Sequence, residues 1–234
     1  MMDRRTALAA GCTGLVSATA GCIGFVLGDE SLEYIAEPIL PSEPALERTG
    51  YELSDQGWLG IGETIGERDI GAAAWSGTYT NDVTIQGQSQ EAAIFACLSM
   101  PKIEVAGSPI NPFADMTPRE LLEEFGDEVD SEFDDIAQPQ PTGDSFSLPM
   151  LGEARIIEEF ISETRIQGEP IELLLWITTF THRDDVIIVF GGFPRQLADE
   201  GVLIEDLMES VEHPPEGDRG IPEANTDEGI DDGL

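Results

Sequence analysis

The sequence predicts an α+β fold, an antiparallel β-sheet with helices packed on one face in a single domain. Three observations predict it. Apolar and polar residues alternate in runs of strand length, a well-formed helix start stands between two groups of such runs, and a helical pattern closes the second group.

The first alternating run is Leu32-Glu33-Tyr34-Ile35-Ala36, followed by turns at Pro38, Pro41 and Pro44. Ala45 to Tyr51 predicts a short helix ending at Gly50, and Gly60 to Asp82, rich in Gly, Thr and alternating apolar residues, predicts two antiparallel strands. Ala92 to Met100 predicts a buried strand stopped by Pro101. Thr117-Pro118-Arg119-Glu120 is a capping box: Thr caps, Pro takes the first helical position, and Glu three residues on returns to the cap amide. Leu121, Leu122 and Phe125 give that helix an apolar face.

Residues 126–147 read as loop, broken by Pro139, Pro141 and Gly143. Ala154 to Ile166 reads as a strand, although its Ile/Glu pattern also fits a helix. Ile171 to Thr181 and Val186 to Phe190 are strands joined by a hairpin at His182-Arg183-Asp184-Asp185. A helix from Arg195 or Leu203 to Glu212 carries Leu203, Leu207, Met208 and Val211 at helical spacing. The globular domain is thus expected over 32–213, with an acidic, unstructured tail over 214–234.

The start of the chain reads as an address. Residues 1–21 form a signal peptide: Arg4-Arg5 precede a soft apolar stretch from Ala7 to Ala20, too short for the roughly 20 residues of a membrane-spanning helix. The paired arginine resembles a twin-arginine export signal, although Asp3 and Thr6-Ala7 depart from the usual flanks. Thr19-Ala20-Gly21-Cys22 resembles a lipobox, with Thr19 where Leu is usual. Cys22 is then the lipidated residue, and 22–31 a tether. The rival Cys12 would leave an apolar region of only about six residues. Cys97 alone would remain as a thiol, so no intramolecular disulfide is expected, and its apolar surroundings predict a buried, inert side chain.

Charge bounds the partners. The net charge is −36, with 47 Asp and Glu against 11 Lys and Arg, and Lys102 is the one lysine. Such a surface repels phosphate backbones, which excludes nucleic acid, and repels anionic lipid, so a membrane contact needs the hydrocarbon on Cys22. At molar salt the Debye length falls to about 3 Å and self-repulsion is screened, so the composition predicts a folded protein adapted to brine.

Cys22 with Glu33-Tyr34-Ile35-Ala36-Glu37-Pro38 and Ala45-Leu46-Glu47-Arg48-Thr49-Gly50-Tyr51-Glu52 resembles a family of haloarchaeal surface lipoproteins. Pro101-Lys102-Ile103-Glu104-Val105-Ala106-Gly107, Asn111-Pro112, Phe193-Pro194 and Val211-Glu212-His213-Pro214 carry the same resemblance. It implies a location on the extracytoplasmic face of the membrane and implies no activity. Glu209-Ser210-Val211 resembles, more weakly, the closing helix pattern of PsbP-like domains.

No catalytic residue, metal site or cofactor is expected. Asp127, Glu128, Asp130, Glu132, Asp134 and Asp135 lack the Gly and Glu register of a calcium loop. The two histidines, His182 in a turn and His213 at a helix end, have no Gly-x-Ser-x-Gly elbow and too few companions for zinc. Ser210-x-x-His213 reads as charge complementarity at a helix C-terminus. Gly57-Trp58-Leu59-Gly60-Ile61-Gly62 has no lysine for phosphate. Trp75 and Trp176 are core residues or the lining of a pocket. The expected function is a membrane-anchored, non-catalytic accessory or binding module whose partner is an envelope protein or small ligand. The alternatives are a surface enzyme working through carboxylates and a small-ligand carrier.

Overall fold

A computed structural model describes residues 32–65, 68–85, 88–105, 108–109, 113, 116–122, 137–166, 169–217 and 219–224. Two antiparallel meanders make the sheet. The first is β3 (Glu52–Ile65), β4 (Arg68–Ile85) and β5 (Gln88–Pro101); the second is β8 (Gln140–Met150), β9 (Glu153–Ile166), β10 (Glu169–His182) and β11 (Asp185–Pro194). They join where β5 pairs with β11, Cys97 opposite Val189. β1 (Leu32–Ile35) lies parallel to β4, Leu32 opposite Ile70, and makes the eight-stranded sheet mixed. Short pairs complete the set: β2 (Leu40–Pro41) with β12 (Val211–Glu212), and β6 (Glu104–Val105) with β7 (Ser108–Pro109).

Strand dominates, which corrects the α+β expectation. Among the described residues the helices are α1 (Glu43–Thr49), α2 (Ala198–Glu209) and a helical turn over 118–122. They do not share one face. Ala45 of α1 and Ile204, Leu207 and Met208 of α2 pack with Trp75, Phe95, Ile187 and Val189 on one side of the sheet. Leu121 and Leu122 pack with Met100, Phe160, Val186 and Ile188 on the other. The physical reason is written along β11, whose residues are buried on both faces apart from half-buried Phe190; a strand that alternates inward and outward would not need two covers.

A second correction concerns the loop expected over 126–147. Pro141 and Gly143 read as breakers, yet β8 runs through both because it is an edge strand, where a missing N–H removes no ladder bond. Gly57 to Gly62 likewise lies inside β3.

Local signals place the helices. Gly50 takes φ +76° and its N–H reaches Leu46 O at 2.9 Å, ending α1. The capping box forms: Thr117 N–H donates to Glu120 Oε2 at 2.8 Å, and Glu120 N–H to Thr117 Oγ1 at 3.4 Å. α2 lies close against the sheet, and a Cβ built on Gly191 of β11 would stand 2.4 Å from Ile204 Cγ2.

Arginines tie distant segments. Arg48 of α1 pairs with Asp206 of α2 at 2.8 Å. Arg219 meets Glu212 at 3.0 Å and Glu43 at 3.4 Å, and donates to Pro41 O at 2.8 Å. The expected tail therefore begins as a packed segment without helix or strand: Trp58 Nε1 donates to Pro222 O at 2.8 Å and Ile221 rests on the core. Residues 225–234 lie outside the described residues. Among the described residues no helix is long and apolar enough to cross a membrane.

Candidate functional site

Four chain segments converge beyond one end of the central strands. The turn joining β10 to β11 is Arg183-Asp184, with Arg183 at φ +55°, so His182 and Asp185 form the last pair of the ladder. Ser99 enters from neighbouring β5 and is fully buried. The pairing of β2 with β12 carries Glu37, just before β2, and His213, just after β12, to the same place.

His213 is the hub. Its ring is fully buried, and Nε2 lies 3.1 Å from Asp185 Oδ2, 3.0 Å from Glu37 O and 3.1 Å from Ser99 Oγ. A carboxylate and a carbonyl only accept, so Nε2 carries a proton and donates. On the far side of the ring, Nδ1 lies 2.9 Å from Nδ1 of His182. With His213 neutral, its Nδ1 accepts and His182 Nδ1–H donates. Asp185 Oδ2 also accepts the Glu37 N–H at 2.8 Å, and the Glu37 carboxylate receives Arg183 at 2.8 Å.

Burial holds His182 below the usual histidine range, and the neighbouring His213, Arg183 and Arg155 push the same way against Glu153. The pair is self-limiting: a proton on both Nδ1 atoms would set two donors face to face 2.9 Å apart.

A hydrolytic triad needs serine on one nitrogen of the base and the carboxylate on the other. Here Ser99 and Asp185 share Nε2, and the other nitrogen faces a second histidine. The arrangement is not a serine nucleophile with its relay. It is a nitrogen ringed by oxygens, and Glu37, Asp185 and His213 can each offer one ligand atom within 4.8 Å of the others.

The sequence-predicted residues fall elsewhere. Arg4, Arg5, Thr19, Ala20, Gly21 and Cys22, together with Cys12 and the acidic run 127–135, lie outside the described residues. Trp75 is fully buried, edge-to-face with Trp58 at 5.1 Å, and its Nε1 has no hydrogen-bond partner among the described residues. Trp176 is wedged between Phe146 at 4.8 Å and Phe193 at 4.9 Å, with Nε1 donating to Glu159 at 3.0 Å. Cys97 is buried, its Sγ 3.1 Å from Ile39 O, and burial pushes its thiol up well above the usual range.

His213 lies beyond the end of α2, so charge complementarity with that helix does not explain it. The expectation of no metal site rested on two histidines far apart in sequence. The one sequence signal joining them is that they are the only two in the chain.

A family profile described as a domain of unknown function (DUF6517) matches residues 38–212. No curated protein matches the chain. Among the solved structures that resemble it weakly are two at 13% identity each. One is PA94 of Pseudomonas aeruginosa, a protein of unknown function described as a putative regulator, with TM-score 0.35 over 68% of this chain and 99% of that one. The other is the cyanobacterial PsbP, CyanoP, of Synechocystis sp. PCC 6803, with TM-score 0.33 over 88% and 98%.

Proposed function

We propose that this chain, which belongs to the DUF6517 family, is a lipid-anchored, non-catalytic binding module on the extracytoplasmic face of the membrane of a halophilic archaeon. The observation that carries the reading is the order of the first residues. Arg4-Arg5 stand before a short apolar stretch, and Thr19-Ala20-Gly21 give small residues before Cys22. The resemblance to haloarchaeal surface lipoproteins belongs to this reading. A net charge of −36 supports it, because electrostatics cannot bring such a body to an anionic bilayer. Buried hydrocarbon on a cysteine can, at about 0.8 kcal/mol per methylene.

The module half of the reading draws on the geometry of His213, whose ring is fully buried. Ser99 and Asp185 are engaged on the same nitrogen, which is not the arrangement of a nucleophile with its base and relay. Fractionation of a halophilic host expressing the chain and its Cys22→Ser variant tests the anchor. The parent is expected in the membrane pellet and the variant in the soluble or secreted fraction; a variant that pellets like its parent refutes lipidation at Cys22.

A further inference from the structure

We infer that His213 Nε2, an oxygen of Asp185 and an oxygen of Glu37 form a binding site for one first-row divalent cation of the Zn²⁺ or Mn²⁺ class. The ion takes the position that the Nε2 proton holds in the ion-free protein. This goes beyond the anchoring reading and does not depend on it.

Four observations converge. The first is convergence: three oxygens stand 3.0–3.1 Å from one buried nitrogen, and Asp185 Oδ2 also accepts the Glu37 N–H while Ser99 brings its own hydroxyl proton, so carboxylate, carbonyl and hydroxyl all meet at a single point. The second is spacing. Ligands bonded at about 2.1 Å stand roughly 3.0 Å apart along an octahedral edge and about 3.4 Å apart along a tetrahedral one. Asp185 Oδ2, Ser99 Oγ and Glu37 O already lie in that range from Nε2, and the Glu37 carboxylate, within 4.8 Å of the other two ligand atoms, closes the remaining gap by rotation of a half-exposed side chain. The third is orientation. Metal-bound histidines donate their other N–H to a fixed acceptor, and His182 Nδ1 waits 2.9 Å from His213 Nδ1. The fourth is access: Asp185 and His213 are buried, while the Glu37 side chain is 46% exposed and forms the mouth. Arg183 pairs with Glu37 Oε2 at 2.8 Å and neutralises part of the charge at that entry.

The donor set fixes the class. One imidazole with carboxylates suits Zn²⁺ or Mn²⁺ better than Ca²⁺ or Mg²⁺, which favour an all-oxygen cage. The competing account is a structural Nε2–H···Asp185 bond with no ion. The two differ in where protons end up. Without the ion, His213 carries its proton on Nε2 and His182 carries one on Nδ1. With it, the His213 Nε2 lone pair binds the cation, the His213 proton is on Nδ1 and donates to His182 Nδ1, and the His182 proton is on Nε2. Two protons are present before and after; none is released, and both tautomers invert.

The chain holds only two histidines, so their ring nitrogens can be followed without ambiguity. The full chain, purified in detergent and stripped with chelator, is titrated with Zn²⁺ in about 1 M potassium nitrate, which screens binding to surface carboxylates. The expected result is one ion per chain, inverted tautomers of both histidines in side-chain ¹⁵N spectra, and at least tenfold weaker binding in Asp185→Asn. Glu37→Gln, a change at a half-exposed position, keeps the test open if Asp185→Asn fails to fold, and it too is expected to weaken binding at least tenfold. Absence of saturable binding below millimolar Zn²⁺ overturns the proposal. So does binding that leaves both imidazole spectra unchanged, or affinity unaltered in a folded variant.

Discussion

Replacing Gly191 with alanine should loosen the whole domain, although alanine in a strand interior ordinarily gains about 0.5–1 kcal/mol over glycine. The added Cβ would lie 2.4 Å from Ile204 Cγ2, with Ile204 Cδ1 and Met208 Cε each at 3.4 Å. Cγ2 is bonded to a branched Cβ in a helix, where χ1 has one favoured rotamer, so it cannot swing aside as a long flexible tip would. Ile204 is fully buried, which leaves α2 itself to move. Overpacking of this kind costs about 1–3 kcal/mol and here opposes the smaller backbone gain, so a net loss of about 1–2 kcal/mol is expected. Urea unfolding in molar KCl, followed by tryptophan fluorescence, measures it. Ile204→Leu moves the branch from Cβ to Cγ and removes the clashing methyl. Alone it should cost under about 1.5 kcal/mol. Combined with Gly191→Ala it should recover part of the loss, with a coupling of about 0.5–3 kcal/mol. A Gly191→Ala protein as stable as its parent, or losses that simply add in the double variant, would refute the close approach of α2 to β11.

Two further outcomes follow from buried groups. In a Cys12→Ser, Cys22→Ser background the thiol of Cys97 should react with an aromatic disulfide reagent at least about a hundredfold more slowly in the native state than in urea, because burial keeps it protonated; equal rates would place it at the surface. In chelator-treated protein His182 should make stability fall as pH drops. Its native pKa lies below the ordinary 6.5, so the unfolded chain binds the proton first, and the stabilisation present above pH 6.5 declines as pH falls toward the native value. The urea midpoint between pH 7.5 and 5.5 should decrease in the parent and flatten in His182→Gln; parallel profiles would remove His182 from the account.

Signals confined to a few residues could be read from the sequence. Gly50 ends α1 because the left-handed conformation suits glycine, and Thr117 with Glu120 forms its reciprocal bonds across three residues. The hairpin of β10 and β11 was legible as well, its turn tightening to Arg183-Asp184. The balance of strand over helix was not. β8 looks broken because Pro141 and Gly143 are penalised only where a ladder continues on both sides, and edge position is a tertiary fact. The second covered face could have been suspected from Val186 to Phe193, which shows no outward polar residue. The His213 cluster lay beyond local rules. Its partners are 28, 31, 114 and 176 residues away, and only the pairing of β2 with β12 and the end of the β10–β11 ladder bring them together.

That β2–β12 pairing also sets when the protein can finish folding. A nascent chain that has left the ribosome as far as Pro194 holds every strand of the large sheet, yet Ile39, Leu40 and Ala45 have no α2 or Val211 to close over them. Completion waits until α2 and β12 have been translated. A chain cut before Ala198 would keep that apolar face open to chaperones and proteases.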